Sequence, residues 1–178
     1  MRYRSLLLIP FLFAMLALPA AAGLPANISS LSGSPLKEVG AGQYRKLGMK
    51  IYRVSLWAPE GKYHKDKPFA LQLHYLRSLS KQTVLDAVMG DIRKQNLAGE
   101  GTMDKWQAQL TKTIPAVKNG DELIALSTPG KPAALLFNGK HITSISDERL
   151  STSFFNIWLG DIADQALRAQ LLQGAESR

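Results

Sequence analysis

Lys50 to Ala58 reads KIYRVSLWA, and Phe69 to Arg77 reads FALQLHYLR. In the first, Tyr52, Val54 and Leu56 alternate with Arg53 and Ser55; in the second, Phe69, Leu71, Leu73 and Tyr75 share one face and Gln72 and His74 the other. A period of two is that of a strand with one side against a core. By the same parity Arg77 falls on the apolar face. Pro59, Glu60 and Gly61 close the first strand, as Pro and Gly close strands generally. Gln43 to Leu47 reads as a weaker strand upstream.

Downstream the period changes. Ser80 is placed to cap a helix whose buried stripe is Val84, Leu85, Val88 and Ile92, and a second helix runs from about Thr102 to Lys112 with Met103, Trp106 and Leu110 on one side. Such spacings are helical, and a Ser at the start is a strong N-cap. Pro115 and Asn119-Gly120 end this region. Strands then resume at Glu122 to Ser127, Ala133 to Phe137 and His141 to Ile145, the last two flanking Asn138-Gly139. Asn-Gly between apolar runs marks a tight hairpin, because both turn residues need a positive φ. Asp147 caps a helix carrying Leu150, Phe154, Ile157 and Trp158, and a last helix runs from about Asp164 to Gln173 until Gly174 stops it. Strands, helices, strands, helices in segregated runs imply an α+β fold, an antiparallel sheet with helices packed on it.

The chain has 178 residues and no cysteine, which excludes disulfides, thiolate metal sites, a cysteine nucleophile and lipid attachment through cysteine. Hydrophobic residues make up 46% and charged residues 20%, the balance of a folded domain. At the start, Arg2 and Arg4 precede an apolar run from Leu6 to Leu18, followed by Pro19 and Ala20-Ala21-Ala22. This is the anatomy of a cleaved secretory signal peptide over residues 1–22, and the run is too short for a membrane span. Residues 23–35, rich in Ser, Gly, Pro and Asn, read as a flexible lead-in, and residues 36–175 as one domain. Cleavage lowers the formal net charge of +8 to about +6 by removing two arginines. The remaining cations are scattered without interleaved aromatics, which argues against a nucleic-acid partner. The expected location is the periplasm or the exterior.

Known catalytic patterns are missing. His64, His74 and His141 lack metal-ligand spacing, no serine sits in a nucleophile elbow, and Gly99 and Gly101 do not form a phosphate loop. Asp147 and Glu148 are explained by helix capping. What stands out is a group of large side chains: Tyr44, Arg45, Tyr52, Arg53, Tyr75 and Arg77 on the early strands, and Phe154, Phe155 and Trp158 on a late helix. Such residues fill ordinary cores and snorkel from them. They also suit a cleft between sheet and helices, where an arginine and a tyrosine hold a polar head and apolar walls hold the rest.

Several stretches together resemble the chalcone isomerase-like family in its bacterial exported branch. They are VGAG at Val39 to Gly42, LGMKIYRVSLWAP at Leu47 to Pro59, PFALQLHYLR at Pro68 to Arg77, KNGDELIALSTPGKPAALLFNGKHI at Lys118 to Ile142, FFNIWLG at Phe154 to Gly160 and LRAQLLQG at Leu167 to Gly174. The resemblance implies a large antiparallel sheet covered on one face by a layer of helices, with a ligand cleft between. The family spans plant enzymes that cyclise chalcones, fatty-acid binders and non-catalytic helpers. In the enzymes an arginine on an early strand assists, while a threonine and a tyrosine order a water against the enolate. An asparagine and a late Ser/Thr contact the substrate. Here the arginine lies nearest Arg45, the strand threonine falls on Tyr52, the helix tyrosine on Thr83, the asparagine on Gly90 and the late Ser/Thr on Ile157. Gly90 and Ile157 have no side chain that hydrogen-bonds.

The resulting expectation is an exported, non-catalytic protein that binds a small amphipathic ligand such as a fatty acid. Arg45 and Tyr52 hold the head, with Thr83, Phe154, Ile157 and Trp158 completing the site. The alternative is an isomerase, an intramolecular lyase acting on a bacterial substrate. A third reading is an envelope interaction module in peripheral contact with anionic membrane. Nothing in the sequence calls for a metal or a cofactor, and the oligomeric state is not written in it.

Overall fold

The computed structural model describes residues 23–173. The signal-peptide reading of residues 1–22 and the stop at Gly174 lie outside them. Six strands form one sheet in chain order, every neighbour antiparallel. They are β1 (Lys37–Lys46), β2 (Met49–Ala58), β3 (Phe69–Tyr75), β4 (Glu122–Ser127), β5 (Ala133–Phe137) and β6 (Lys140–Ile145). Helices α2 (Lys81–Lys94) and α3 (Glu100–Thr113) are inserted between β3 and β4, and α4 (Glu148–Leu159) and α5 (Gln165–Leu171) follow β6. This is the α+β architecture expected, with the main core between the helix layer and one face of the sheet.

Local chemistry sets the boundaries. The β1–β2 turn uses Leu47 and Gly48 and the β5–β6 turn uses Asn138 and Gly139, all four at positive φ, as two-residue hairpins require. Ser80 caps α2 by accepting from the Thr83 amide at 3.1 Å. Asp147 caps α4, accepting from Arg149 and Leu150 amides at 2.9 and 3.1 Å, and takes a further bond from the Trp106 indole at 2.9 Å. That indole ties α3 to the start of α4.

β1 begins six residues earlier than the weak strand read at Gln43, because Gly40 and Gly42 hide the alternation. A Cβ on Gly40 would collide with the backbone oxygen of Gln170, and one on Gly42 with the Leu167 side chain. The bare backbone lets α5 lie against β1.

Residues 23–35, expected as a flexible lead-in, instead hold a helix, α1 (Ala26–Ser32), ended by Gly33 in the left-handed region. Seven residues are too few for a helix to stand alone. Packing holds it: Ile28, fully buried, joins Leu36, Ala70, Ile124, Leu126 and Leu136 on the sheet face away from the main helix layer. The polar composition that reads as loop concealed one apolar anchor.

Candidate functional site

Strand alternation aims Leu73, Tyr75, Leu123 and Leu135 at the helix layer. There α2 and α4 do not close completely on the sheet. A cavity of about 430 Å³ remains, walled by those strand residues, by Val84 and Val88 of α2, and by Phe154, Ile157 and Trp158 of α4. Its volume is within the range of small-molecule sites. Exposed liners mark its opening: Lys46, Thr83, Asp86 and Ala87. Thr83, Ala87 and Asp91 are spaced by one helical turn each, so one face of α2 forms this edge.

One end of the cavity is aromatic. Tyr44 stacks on Tyr52 with ring centroids 5.0 Å apart, and Tyr52 meets Tyr75 edge-on at 5.9 Å and Trp158 at 6.5 Å. The Trp158 indole N–H donates to the Tyr52 hydroxyl at 3.0 Å. Burial pushes the Tyr52 phenol far above its ordinary value, with the Trp158 bond opposing more weakly. Burial also pushes the Tyr75 phenol up to about 12. The Tyr44 phenol is raised by burial first and by the nearby Asp91 carboxylate second. All three hydroxyls therefore stay protonated near neutral pH and serve as hydrogen-bond donors. Beyond Tyr44 and Tyr52 lies a smaller, more polar cavity of about 200 Å³, to which Asp91, Lys94, Gln95, Asn156 and Asp164 contribute.

Of the residues singled out from the sequence, Tyr52, Thr83, Phe154, Ile157 and Trp158 line the larger cavity. Arg45 does not. It is exposed, and its Nη1 reaches only the Gly48 carbonyl at 3.5 Å in the β1–β2 turn. The cause is parity: Tyr44 and Lys46 line the cavity, so Arg45 between them points away. Arg53 lies on the opposite face near Glu38, at 4.0 Å. Arg77 is exposed beyond the end of β3 rather than on its apolar face. No arginine lines either cavity among the described residues. Sequence reasoning did not assign Lys46, Asp86 and Asp91 to the site. The signal that could have found the carboxylates was their place on the same helical face as Thr83.

Among the described residues, no group of three or more His, Asp or Glu could hold a metal ion, and no helix is long and apolar enough to cross a membrane. His141 contacts Ser144 Oγ at 2.9 Å outside the site.

The fold is similar to the crystal structure of a fatty-acid-binding protein of Arabidopsis thaliana. The TM-score is 0.60 and the identity 15%, over 77% of this chain and 86% of that one. No curated protein matches the chain in sequence. The family model described as chalcone isomerase-like matches residues 20–173. The meander sheet, the helix layer and the cleft between them accord with that match, and the chain belongs to the chalcone isomerase-like family.

Proposed function

We propose that this protein is a non-catalytic carrier or sensor that binds a small amphipathic molecule, with the apolar part in the 430 Å³ cavity and the polar end among the tyrosines. The observation that carries this reading is the cavity itself: a volume of about 430 Å³ in apolar walls, with protonated phenols at one end. Well-packed interiors leave few voids larger than a water, so a cavity of this size in apolar walls suits an apolar tail. The plant neighbour's ligand class makes a fatty acid the first candidate.

Weighing against catalysis, Ile157 presents only an alkyl surface, Gly90 presents no side chain, and Arg45 faces solvent. The Tyr52 hydroxyl keeps an oxyanion-stabilising capability, which favours the intramolecular-lyase alternative as the second reading. Export to the periplasm or the exterior is part of the proposal and rests on the leader read in residues 1–22.

Mass spectrometry of the purified full chain under native conditions is the test. An apolar-tailed small molecule is expected in complex, and substitution Val88→Trp, which fills the cavity, is expected to abolish its retention. A protein that acquires nothing from a lipid mixture would overturn the carrier reading. Chalcone turnover lost in Tyr52→Phe would overturn its non-catalytic part.

A further inference from the structure

The charge around the two cavities differs from that of the molecule. The chain as a whole carries +8, yet the charged side chains lining the cavities are Lys46, Lys94, Asp86, Asp91 and Asp164, two cations against three carboxylates. Lys94 is already paired with Asp91 at 2.7 Å. These groups come from Lys46 of β1, from Asp86, Asp91 and Lys94 of α2, and from Asp164 in the turn before α5, while β2, β3 and α4 contribute only uncharged side chains to the lining. Asp91 and Asp164 both act on the Tyr44 hydroxyl in the sense of negative potential, with Lys94 opposing. Neither arginine nor histidine lines the cavities among the described residues.

A carboxylate entering this end must leave water, which is costly for an ion unless a counter-charge meets it. With Lys94 and Asp91 neutralising each other, the remaining charged liners are the exposed Lys46 and the carboxylates of Asp86 and Asp164, a net balance that disfavours an anion. Neutral dipoles are present instead. The Tyr52 oxygen accepts from Trp158, and its O–H proton has no acceptor among the described residues. A hydroxyl that already accepts from an N–H is polarised into a better donor.

We infer that the site takes an amphiphile whose polar end is uncharged and accepts a hydrogen bond (an alcohol, ester, ketone or protonated carboxylic acid) and discriminates against the carboxylate anion. This rests on the amphiphile-binding reading and narrows it. A fatty acid then binds in its neutral form, taking up a proton on entry.

Displacement of Nile red from the full chain by dodecanol, dodecylamine and dodecanoate, at several pH values from 8 to 5, tests the inference. At pH 8 dodecanol is expected to compete at about tenfold lower concentration than dodecanoate, or better. Free carboxyls titrate near pH 4–5, so one-proton linkage raises the apparent affinity for dodecanoate by about tenfold per pH unit on going down from 8. The dodecanol curve stays level. Asp91→Asn is expected to strengthen dodecanoate binding relative to dodecanol at pH 8 by about threefold or more. Dodecanoate or dodecylamine binding tightest at pH 8 would overturn the inference and leave the amphiphile reading standing. Failure of Nile red and all three competitors to bind would overturn that reading as well.

Discussion

The two faces of the sheet are made by alternate residues of the same strands, yet they solve the packing problem differently. Toward the helix layer, Val54, Leu56, Leu71, Leu73 and Leu123 are apolar, and the helices leave a cavity over the end that carries Leu73 and Leu123. On the other face the Trp57 indole donates to Gln72 at 2.9 Å, and Gln72 donates to Glu122 at 2.6 Å. Beside that chain, α1 caps an apolar patch through Ile28. The polar face is filled by side chains that satisfy one another, whereas the apolar face keeps volume and unpaired phenolic donors in reserve. A ligand gains more from the second arrangement, which is why the site is assigned there and not to the buried polar chain.

The comparison can be broken most forcefully at its anchors. Trp106→Ala on the helix side is expected to cost about 3–5 kcal/mol in urea unfolding, since it empties a buried volume and strips Asp147 of a partner. Ile28→Ala on the other face is expected to cost at least about 2 kcal/mol if α1 unfolds with the sheet. A loss under about 0.5 kcal/mol would mean that α1 frays separately, and that this face is essentially uncovered.

A matched pair sharpens the contrast at intermediate scale. Tyr52→Phe strands the Trp158 N–H, and Gln72→Leu strands the Trp57 N–H. Each is expected to cost about 1–3 kcal/mol. Only Tyr52→Phe is expected to weaken ligand binding, by about tenfold. Equal loss of binding in both variants would dissolve the distinction between the faces.

The pH effect is smaller. The Trp106 bond, then the amides of Leu150 and Arg149, hold the Asp147 carboxyl below its ordinary range, and Asn138 does the same for Asp121. A depressed folded value contributes stability above the unfolded pKa of about 4 and loses it as pH falls through the folded one. The urea midpoint is expected to stay level as regards these groups from pH 7 to 5 and to drop below about 4. Asp147→Asn is expected to drop less steeply. Smallest of all, Arg45→Ala is expected to leave ligand affinity within about twofold, because the side chain lies outside the cavity. A tenfold loss would return the head group to Arg45.

Much of this was legible. Alternation in Phe69 to Tyr75, the Asn138-Gly139 turn and the caps at Ser80 and Asp147 all express local physics, and the structure holds them where the sequence reading puts them. Three features resisted. Gly40 and Gly42 carry no side chain whose period could be read, and their purpose is contact with α5, far away in sequence. In α1 a single isoleucine outweighs a loop-like composition. At Arg45 the alternation available one residue away, through Tyr44, indicates the outward direction; the family resemblance pulled the reading the other way.

The insertion of α2 and α3 between β3 and β4 also has a kinetic side. Four of the five strand pairings join segments separated by two to ten residues, whereas β3 and β4 stand 46 residues apart. The sheet is therefore two three-stranded meanders, each able to zip from local contacts, that meet along a single seam closed by a long loop. Substitutions along that seam, at Leu73 or Leu123, are expected to accelerate unfolding more than they slow folding if the seam closes last. The surfaces that build the cavity floor would then be the last part of the molecule to come together.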